Sequence, residues 1–259
     1  MENNDLSLLI LSCDKNNDLS PWINKTCQGF LKNGIECILA TEFVKDNYIK
    51  DIRVLLCKND SFDKRFISGL RLCSSKYVLV ILDDYYVHDV NIAEKITNWI
   101  TFIKKNDIKA LRVSSLPKKF VKKKKIEKHY YMLTNPRAYE IDFHPTIWNK
   151  ESLLELIEKR AFSPWSLEPL FSLYLRNKKC AFTRKTICYD ELIIRGMFFP
   201  HPFKKYCKQE YNGKKKIIPC VKLFFYKMKI LFFNLSPYWL LDFIKWIFKV
   251  KSISSEAKL

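Results

Sequence analysis

The pattern of hydrophobic and polar positions divides the first half of the chain into short apolar runs and longer segments with helical periodicity. A short, unbroken apolar run is typical of a strand that is buried on both faces. The predicted strands are 6–12, 35–41, 52–57, 77–82 and 109–114, and the predicted helices are 21–33, 62–74 and 89–105. Because strands and helices alternate with short connections, we expect an α/β fold with a mostly parallel sheet flanked by helices.

The predicted strand at 77–82 ends directly in two adjacent carboxylates, Asp83 and Asp84. The carboxyl end of a parallel strand lies at the edge where open α/β sheets bind ligands. Two neighbouring carboxylates repel each other, and a divalent cation or a metal-bound phosphate would offset that repulsion. The pair therefore indicates a ligand site, and the alternative is an acidic turn that binds nothing.

The first predicted strand also opens into a polar loop at its carboxyl end, which begins with Ser12, Cys13 and Asp14. In a parallel sheet this loop lies at the same edge as the acidic pair, so we expect it to belong to the same site. For Cys13 the alternative is a thiol that is buried at the end of the strand.

The second half of the chain predicts short strands at 138–143, 146–148, 180–184 and 186–189, and a helix at 150–159 with Asn149 as its N-cap. Another helix is predicted from Pro164 to about 177, because proline fits the first turn of a helix. Glu168 lies near the N-terminus of that helix, where a negative charge is favourable to the helix dipole.

The formal net charge is +19, from 46 Lys and Arg against 27 Asp and Glu, which indicates an anionic partner. Six lysines fall in the eight positions 118–125, and mutual repulsion predicts a solvated loop there. A nucleic-acid-binding protein is one alternative. The lysine runs lack interleaved aromatic residues and a recognisable reading helix, so we expect lipid or phosphorylated ligands and no nucleic acid.

Nine cysteines occur without a CxxC pair, which indicates buried, reduced thiols rather than a zinc or redox motif. The N-terminal apolar run has no basic region before it and is interrupted too early for a signal peptide. No window of about 20 apolar residues lacks a charge, so no spanning helix is predicted. We therefore expect a cytoplasmic protein.

The composition changes after about residue 205, and we predict a boundary between a catalytic domain, 1–205, and a basic-aromatic helical segment, 206–259. In the stretch 239–250, Asp242, Lys245 and Lys249 form one narrow stripe, and nearly all other residues are large and apolar. Such a helix suits an anionic membrane surface, with the lysines at the polar edge. The alternative is a terminal helix that folds onto the domain.

Taken together, these residues resemble the GT-A-fold glycosyltransferases of bacterial surface-polysaccharide synthesis, which build lipopolysaccharide or capsule. The resemblance covers roughly residues 6–200. It depends on four places: Ser12-Cys13-Asp14, the helix with Arg65 that leads to strand 77–82, Leu82-Asp83-Asp84, and Trp148 followed by Pro164-Trp165-Ser166-Leu167-Glu168.

The resemblance implies a GT-A-like, Rossmann-like domain that moves a sugar from a nucleotide-sugar donor to a hydroxyl of a glycan or lipid-linked acceptor, with inversion. It implies that Asp83 and Asp84 contact a divalent cation, Mn²⁺ or Mg²⁺, and the ribose, and that Ser12, Cys13 and Asp14 border the base. Arg65 would support the donor side. Glu168 would be the general base, and His201 a late ligand of the cation near the diphosphate.

Two features of these motifs leave alternatives open. Tyr85 stands where a complete DxD motif has its second acid, and His201 lies between two prolines, which also suits a structural role. A nucleotidyltransferase on the same kind of sheet is the other enzymatic alternative. That class usually has a Gly-rich phosphate loop after its first strand, and this chain has no glycine before Gly29. A membrane-linked acceptor would place the protein on the inner face of the cytoplasmic membrane.

Overall fold

The computed structural model describes residues 5–43, 50–115, 123–134, 140–158, 162, 171, 175 and 178–236. The strands are β1 Leu6–Leu11, β2 Glu36–Thr41, β3 Arg53–Leu56, β4 Tyr77–Leu82, β5 Tyr85–Val87, β6 Ala110–Arg112, β7 Lys123–Lys125, β8 Tyr130–Leu133, β9 Thr146–Asn149, β10 Cys180–Thr183, β11 Tyr189–Glu191, β12 Ile193–Ile194 and β13 Met197–Phe198. The helices are α1 Ser20–Leu31, α2 Phe62–Leu72, α3 Ile92–Asn106, α4 Lys150–Ile157, α5 Pro200–Pro202 and α6 Cys220–Leu235. A 3₁₀ turn, Asp14–Leu19, precedes α1, and a π-helical turn, Phe203–Cys207, continues α5.

A nine-stranded sheet in the described part of the chain has the order β3-β2-β1-β4-β9-β6-β10-β8-β7. Strands β3, β2, β1 and β4 are mutually parallel. Strand β9 runs antiparallel to both of its neighbours, and β8 runs antiparallel to β10 and β7. Seven of the nine strands therefore point in one direction, which confirms the predicted α/β fold with a mostly parallel sheet.

Both faces of the sheet are covered, which explains the unbroken apolar runs. On β1, Leu8 and Ile10 pack against the side that carries α1 and α3, whereas Leu9 and Leu11 pack against the side with α2 and α4. Successive side chains of a strand point to opposite faces, so a strand between two helical layers is largely apolar on both faces. This sandwich holds the ends of β1 and β4 in place at one edge.

The predicted elements of the first half are confirmed, and no end differs from its predicted position by more than three residues. In the second half, the strand predicted at 138–143 is wrong over its described residues, 140–143, which form bends. The strand predicted at 186–189 begins only at Tyr189. The prediction of a solvated lysine loop is wrong at Lys123–Lys125, which form the edge strand β7. The exposed lysines of this strand discourage pairing with a further strand.

The residues that directly follow position 205 pack against the domain before helix α6 begins. The buried Cys207 lies in a small cluster with Trp22 and Leu192, and the ring of Tyr211 is 6.4 Å from that of Trp22. Helix α6 follows, and a narrow face of it with Leu223 and Tyr226 contacts the domain. Within the described ranges, none of the helices combines the length and apolar character needed to cross a membrane.

Candidate functional site

The ends of β1 and β4 form the edge on which the site is built. The two strands are paired in parallel register, with Leu11 opposite Leu82, so the loops that follow them leave the sheet side by side. The backbone N–H of Asp83 still donates to the carbonyl of Leu11, at 3.1 Å. The acidic pair and the loop after β1 are therefore neighbours, as the sequence predicted.

The carboxylate of Asp83 binds the loop after β1. Its Oδ2 accepts from the hydroxyl of Ser12 at 2.8 Å and from the backbone N–H of Cys13 at 3.1 Å. Its Oδ1 accepts from Nδ2 of Asn16 at 2.7 Å. Asp83 is only 6% exposed, so these donors replace water around a buried carboxylate.

Burial raises the pKa of Asp83 above its usual value, while the hydrogen bonds from Asn16, Ser12 and Cys13 and the charge of Lys215 oppose the rise. Burial, with the charge of Asp83 beside it, also raises the pKa of the Cys13 thiol to about 11. Cys13 is therefore protonated at neutral pH and has no nucleophilic thiolate to offer.

Arg65 reaches the same loop through a second acid. The buried Arg65 forms an ion pair with Glu42, and the other oxygen of Glu42 accepts from the backbone N–H of Asp14 at 3.2 Å. Burial raises the pKa of Glu42, but the hydrogen bonds from Arg65 and Asp14 outweigh it and lower the pKa overall. Arg65 thus holds Glu42, and Glu42 holds the turn that begins at Asp14.

A cleft of about 790 Å³ opens above these loops. Its wall carries two carboxylates, Asp18 and Asp84, and five cationic side chains. The full lining is Cys13, Lys15, Asn16, Asp18, Asp84, Ile193, Arg195, Gly196, Met197, Lys214, Lys215 and Lys216. An excess of cations in a concave site attracts anions, and a di- or triphosphate is the kind of ligand that needs several of them at once.

The lysine segment is fastened to the loop after β1. Lys215 forms an ion pair with Asp18, whose other oxygen accepts from the hydroxyl of Tyr211 at 2.6 Å. That hydroxyl also accepts from the backbone N–H of Lys215 at 2.7 Å. Lys215 is thus engaged in holding the wall together, whereas Lys214 and Lys216 are exposed.

The hairpin between β12 and β13 supplies the remaining cation. Its two turn residues, Arg195 and Gly196, have φ values of 49° and 76°. A two-residue turn with positive φ at both positions matches the twist of the strands, but Asn-Gly is the usual pair there. Arginine at the first position costs about 1 kcal/mol or more in backbone strain. Such strain at a cleft wall is typical of a functional position.

Asp84 extends into the cleft with a half-buried side chain, while its carbonyl accepts from the N–H of Leu192 at 2.7 Å. The next residue, Tyr85, pairs with Glu191 across the small β5–β11 ladder. Burial raises the pKa of Glu191, and nearby His144 opposes that rise. A carboxyl with a raised pKa is a candidate for proton transfer, but Glu191 is not among the residues that line the cleft.

A divalent cation fits this site in one way. Among the residues that can be described, no three His, Cys, Asp or Glu side chains converge to form a protein-only metal site. The oxygens of Asp83 already accept three hydrogen bonds, and those of Asp18 are engaged by Lys215 and Tyr211, so Asp84 is the lining carboxylate that would hold a cation. Magnesium is commonly held by one or two carboxylates together with substrate phosphates, and Asp84 suits that arrangement.

The structure brings together most of the site residues that the sequence predicted. Ser12, Cys13 and Asp83 are in direct contact, Asp84 lines the cleft, and Asp14 and Arg65 are linked through Glu42. His201 is exposed on α5 and is not among the residues that line the cleft. Glu168 lies outside the described residues.

Several residues of the site were missed by the sequence analysis. Asn16 and Glu42 each follow a buried strand at the same edge, and that position could have indicated them. Arg195 and the run Lys214–Lys216 come from distant parts of the chain, and the Arg-Gly pair between two short apolar pairs is a weak turn signal. Glu191 carries no sequence signal beyond its charge.

Comparison with family models and with curated proteins found no match to this sequence. Solved structures do match its fold. HddC from Yersinia pseudotuberculosis superimposes with a TM-score of 0.52 at 14% identity, over 78% of this chain and 98% of that one. A UDP-glucose pyrophosphorylase complexed with UDP-glucose superimposes with a TM-score of 0.50 at 8% identity, over 72% and 93%.

TarS from S. aureus (residues 1–349), in complex with UDP-GlcNAc, superimposes with a TM-score of 0.49 at 15% identity. That match covers 71% of this chain and 57% of the TarS structure, and at this score it supports no argument. The fold of this chain is therefore similar to the folds of the pyrophosphorylase and of HddC. At these identities the likeness concerns the fold alone.

Proposed function

We propose that the protein is a glycosyltransferase that moves a sugar from a nucleotide-sugar donor to a hydroxyl of a glycan or lipid-linked acceptor, with inversion, in surface-polysaccharide synthesis. The observation that carries the proposal is the cleft at the ends of β1 and β4, whose wall carries Asp84 and five cationic side chains, one of which, Lys215, is paired with Asp18. The leaving group of this reaction is a nucleoside diphosphate. Its developing charge needs the neutralisation that these groups supply.

The parts of the donor can be assigned to parts of the wall. The diphosphate lies against Lys15, Arg195, Lys214 and Lys216, and the base and ribose lie toward Ser12, Cys13 and Asp14. A bound Mn²⁺ or Mg²⁺ would be held by Asp84 together with the phosphates, and it would supply Lewis-acid stabilisation of the leaving group. Asp83 orients the loop that borders the base through its bonds to Ser12, Cys13 and Asn16.

Inverting transfer also needs a general base for the acceptor hydroxyl, and we assign this role to Glu168 on the resemblance. Glu191 is the second candidate, because its pKa is raised and it pairs with Tyr85, the residue that follows Asp84. His201 as a cation ligand stays a prediction from the same resemblance. Replacement of the true base by glutamine should lower turnover about 100-fold or more and leave donor binding intact.

The pH dependence of turnover in variants distinguishes the two candidate bases. Wild-type turnover should rise as the pH increases through the pKa of the base, because only the deprotonated carboxylate accepts the proton. Glu168→Gln should abolish that rise. If Glu168→Gln keeps normal turnover and Glu191→Gln loses it, the role belongs to Glu191.

A nucleotidyltransferase is the second candidate function, and the match to UDP-glucose pyrophosphorylase over 93% of that chain favours it. In that reaction a nucleoside triphosphate and a sugar 1-phosphate give a nucleotide sugar and pyrophosphate. The loop after β1 argues for glycosyl transfer instead. It has no glycine, and its backbone is closed over Asp83 rather than open to cradle a triphosphate.

The products decide between the two reactions. The full chain is incubated with a panel of nucleotide sugars that includes UDP-glucose, with Mn²⁺ or Mg²⁺, and with or without pyrophosphate. Glycosyl transfer or slow hydrolysis releases a nucleoside diphosphate without pyrophosphate. Nucleotidyl transfer consumes pyrophosphate and releases a nucleoside triphosphate and a sugar 1-phosphate.

The site itself is tested with a matched pair of variants. Asp84→Asn should lower diphosphate release about 100-fold, because the charge stabilisation of a metal is worth several kcal/mol. Asp107→Asn removes an exposed carboxylate at a left-handed position that asparagine tolerates, so it should have no effect. Absence of both products and of any thermal shift with every donor would overturn the assignment to nucleotide-sugar chemistry.

A further inference from the structure

Helix α6 stands apart from the domain with most of its surface exposed. Of its described side chains, only Leu223 and Tyr226 are half-buried, and the ring of Tyr226 is 6.0 Å from that of Phe199. Large apolar side chains that would normally be covered are open to solvent, with Val221 at 68% and Phe225 at 66% exposure. An exposed apolar surface of this extent marks a binding surface.

The exposed apolar residues form one stripe. At 3.6 residues per turn, seven of them fall within an arc of about 120° on the side of α6 away from Leu223 and Tyr226. They are Val221, Phe224, Phe225, Met228, Leu231, Phe232 and Leu235. The stripe therefore runs the length of the helix and is wide enough to bury one face.

Lysines border the stripe on both sides. By the same helical spacing, Lys222 and Lys229 lie on one edge and Lys227 lies on the other. The surrounding sequence, from Tyr211 to Leu241, contains six lysines and no Asp or Glu. Long lysine side chains can keep their charge in the lipid headgroup region while their stems lie along the apolar surface.

The helix ends at Leu235, because Ser236 is extended before Pro237. Sixteen residues make a helix of about 24 Å, shorter than the hydrocarbon thickness of a bilayer, and lysines occur along it rather than at its ends. We propose that α6 binds an anionic lipid bilayer and lies flat in its interface, with the stripe in the acyl region and the three lysines at the headgroups.

The charges that border the stripe favour an anionic bilayer, and not a second copy of this chain, as its partner. In a symmetric pair of α6 helices the lysine borders would face each other without any acid to neutralise them. Anionic headgroups satisfy the same lysines. The interfacial helix expected at 239–250 lies outside the described residues and stays a prediction, and Cys220–Leu235 precedes it in the chain.

Bilayer binding would also orient the cleft. Lys216 lines the cleft, and α6 begins four residues later at Cys220, so about 14 Å of extended chain is the most that can separate them. A cleft this close to the headgroups could reach an acceptor that is anchored in the bilayer. The membrane proposal itself does not depend on which reaction the cleft performs.

The test is co-sedimentation of the full chain with vesicles of phosphatidylcholine alone or mixed with phosphatidylglycerol. We expect binding to the mixed vesicles that weakens as salt increases, and little binding to the neutral ones. Replacing Phe225 and Phe232 together with serine should weaken binding roughly tenfold or more, since both rings leave the stripe. Lys222→Glu with Lys229→Glu should act in the same direction.

Two controls keep the result specific. Ile230→Ser changes an apolar residue of α6 that lies off the stripe and should leave binding unchanged. Replacing Phe225 and Phe232 with leucine keeps the stripe apolar and should retain most of the binding, which separates a surface effect from misfolding. Circular dichroism of each variant checks the fold.

Three results would overturn the proposal. Equal binding of the wild type to neutral and anionic vesicles would show that the lysines do not contribute to binding. Unchanged binding of the serine variant would show that the apolar stripe does not contact the bilayer. A wild-type dimer in light scattering that becomes a monomer in the serine variant, without vesicle binding by either, would assign the stripe to a second copy of the chain.

Discussion

Asp83 and Asp84 are adjacent in the chain and have different surroundings. Asp83 is buried, and its oxygens accept hydrogen bonds from Ser12, Cys13 and Asn16, whereas Asp84 lines the cleft. The physical reason is the alternation of side chains at a strand end, which directs one carboxylate under the neighbouring loop and the next toward the cleft. The two acids therefore have separate places, and only Asp84 is positioned for the ligand contact that we propose.

Asp83→Asn should destabilise the protein by about 1–3 kcal/mol. An amide cannot accept from donors on both of its ends, so at least one buried donor loses its partner. Asp14→Asn, on the exposed side of the same loop, should change stability by less than about 0.5 kcal/mol. Urea denaturation of both variants measures the difference, and equal stabilities would contradict a structural role for Asp83.

Arg195 combines strain with charge, and the two can be separated. Arg195→Asn places the usual residue at the first position of this turn and should stabilise the fold by about 0.5–1 kcal/mol. The same change removes a cation from the cleft and should weaken binding of a nucleoside diphosphate. Urea denaturation and calorimetric titration would show these opposite effects, and tighter binding by the variant would refute the placement of Arg195 against phosphate.

At the scale of elements, α2 approaches the sheet closely at Gly69. A Cβ at this position would lie 2.8 Å from Cδ1 of Leu9 and 3.2 Å from Cβ of Ala40. The close approach sets how near α2 lies to β1 and β2, and therefore where Arg65, one turn earlier, meets Glu42. The helix positions the site through its packing distance.

Gly69→Ala should therefore destabilise the protein by about 1–3 kcal/mol, although alanine is the better helix former. Gly29→Ala provides the matched control, because a Cβ at Gly29 in α1 meets nothing within 4 Å. That change should stabilise the fold by about 0.5–1 kcal/mol through helix propensity. Thermal denaturation of the pair gives the comparison, and a stabilising Gly69→Ala would show that the packing relaxes.

At the scale of the whole molecule, a buried ion pair joins β6 to the bends before β9. The guanidinium of Arg112 donates to Asp142 at 2.8 Å and to the carbonyl of Glu140 at 3.2 Å. His144 contacts the same carboxylate at 3.0 Å. Burial raises the pKa of Asp142, but the charges of Arg112 and His144 outweigh burial and lower it well below its usual value.

Global stability should depend on this pair and on pH. Because the folded pKa of Asp142 is lowered, its contribution is present above the ordinary value of 3.8 and is lost as the pH falls below it. Arg112→Met leaves a buried charge without its main partner and should cost about 3–5 kcal/mol at neutral pH. The cost should shrink in acid, where Asp142 is protonated in the variant.

Arg71→Met is the control for this comparison. Arg71 pairs with Glu158 at 3.0 Å, but both side chains are exposed, so the loss should be at most about 1 kcal/mol at any pH. Denaturation of the two variants at neutral and acidic pH provides the test. Equal losses in the two variants would mean that burial of the Arg112 pair contributes nothing.

Hydrophobic periodicity was sufficient for much of the fold. Strand 77–82 was predicted at its observed bounds, and the helices at 62–74 and 150–159 begin where they were predicted, because each element carries its own local signal. Asn149 caps α4 through a 3.0 Å bond from the N–H of Ser152, as expected. Periodicity failed at 140–143, where apolar residues are buried in bends without pairing to a strand.

The sequence by itself determined the alternation of elements, the sheet edge at which β1 and β4 end, and the residues that meet there. These properties follow from side-chain spacing within about ten neighbours, which a linear pattern contains. Only the tertiary structure decided that Asp83 binds the loop while Asp84 lines the cleft, and that Arg195 and Lys214–Lys216 complete the wall. These contacts join residues that are 67 to 200 positions apart, so they arise from packing and no local pattern encodes them.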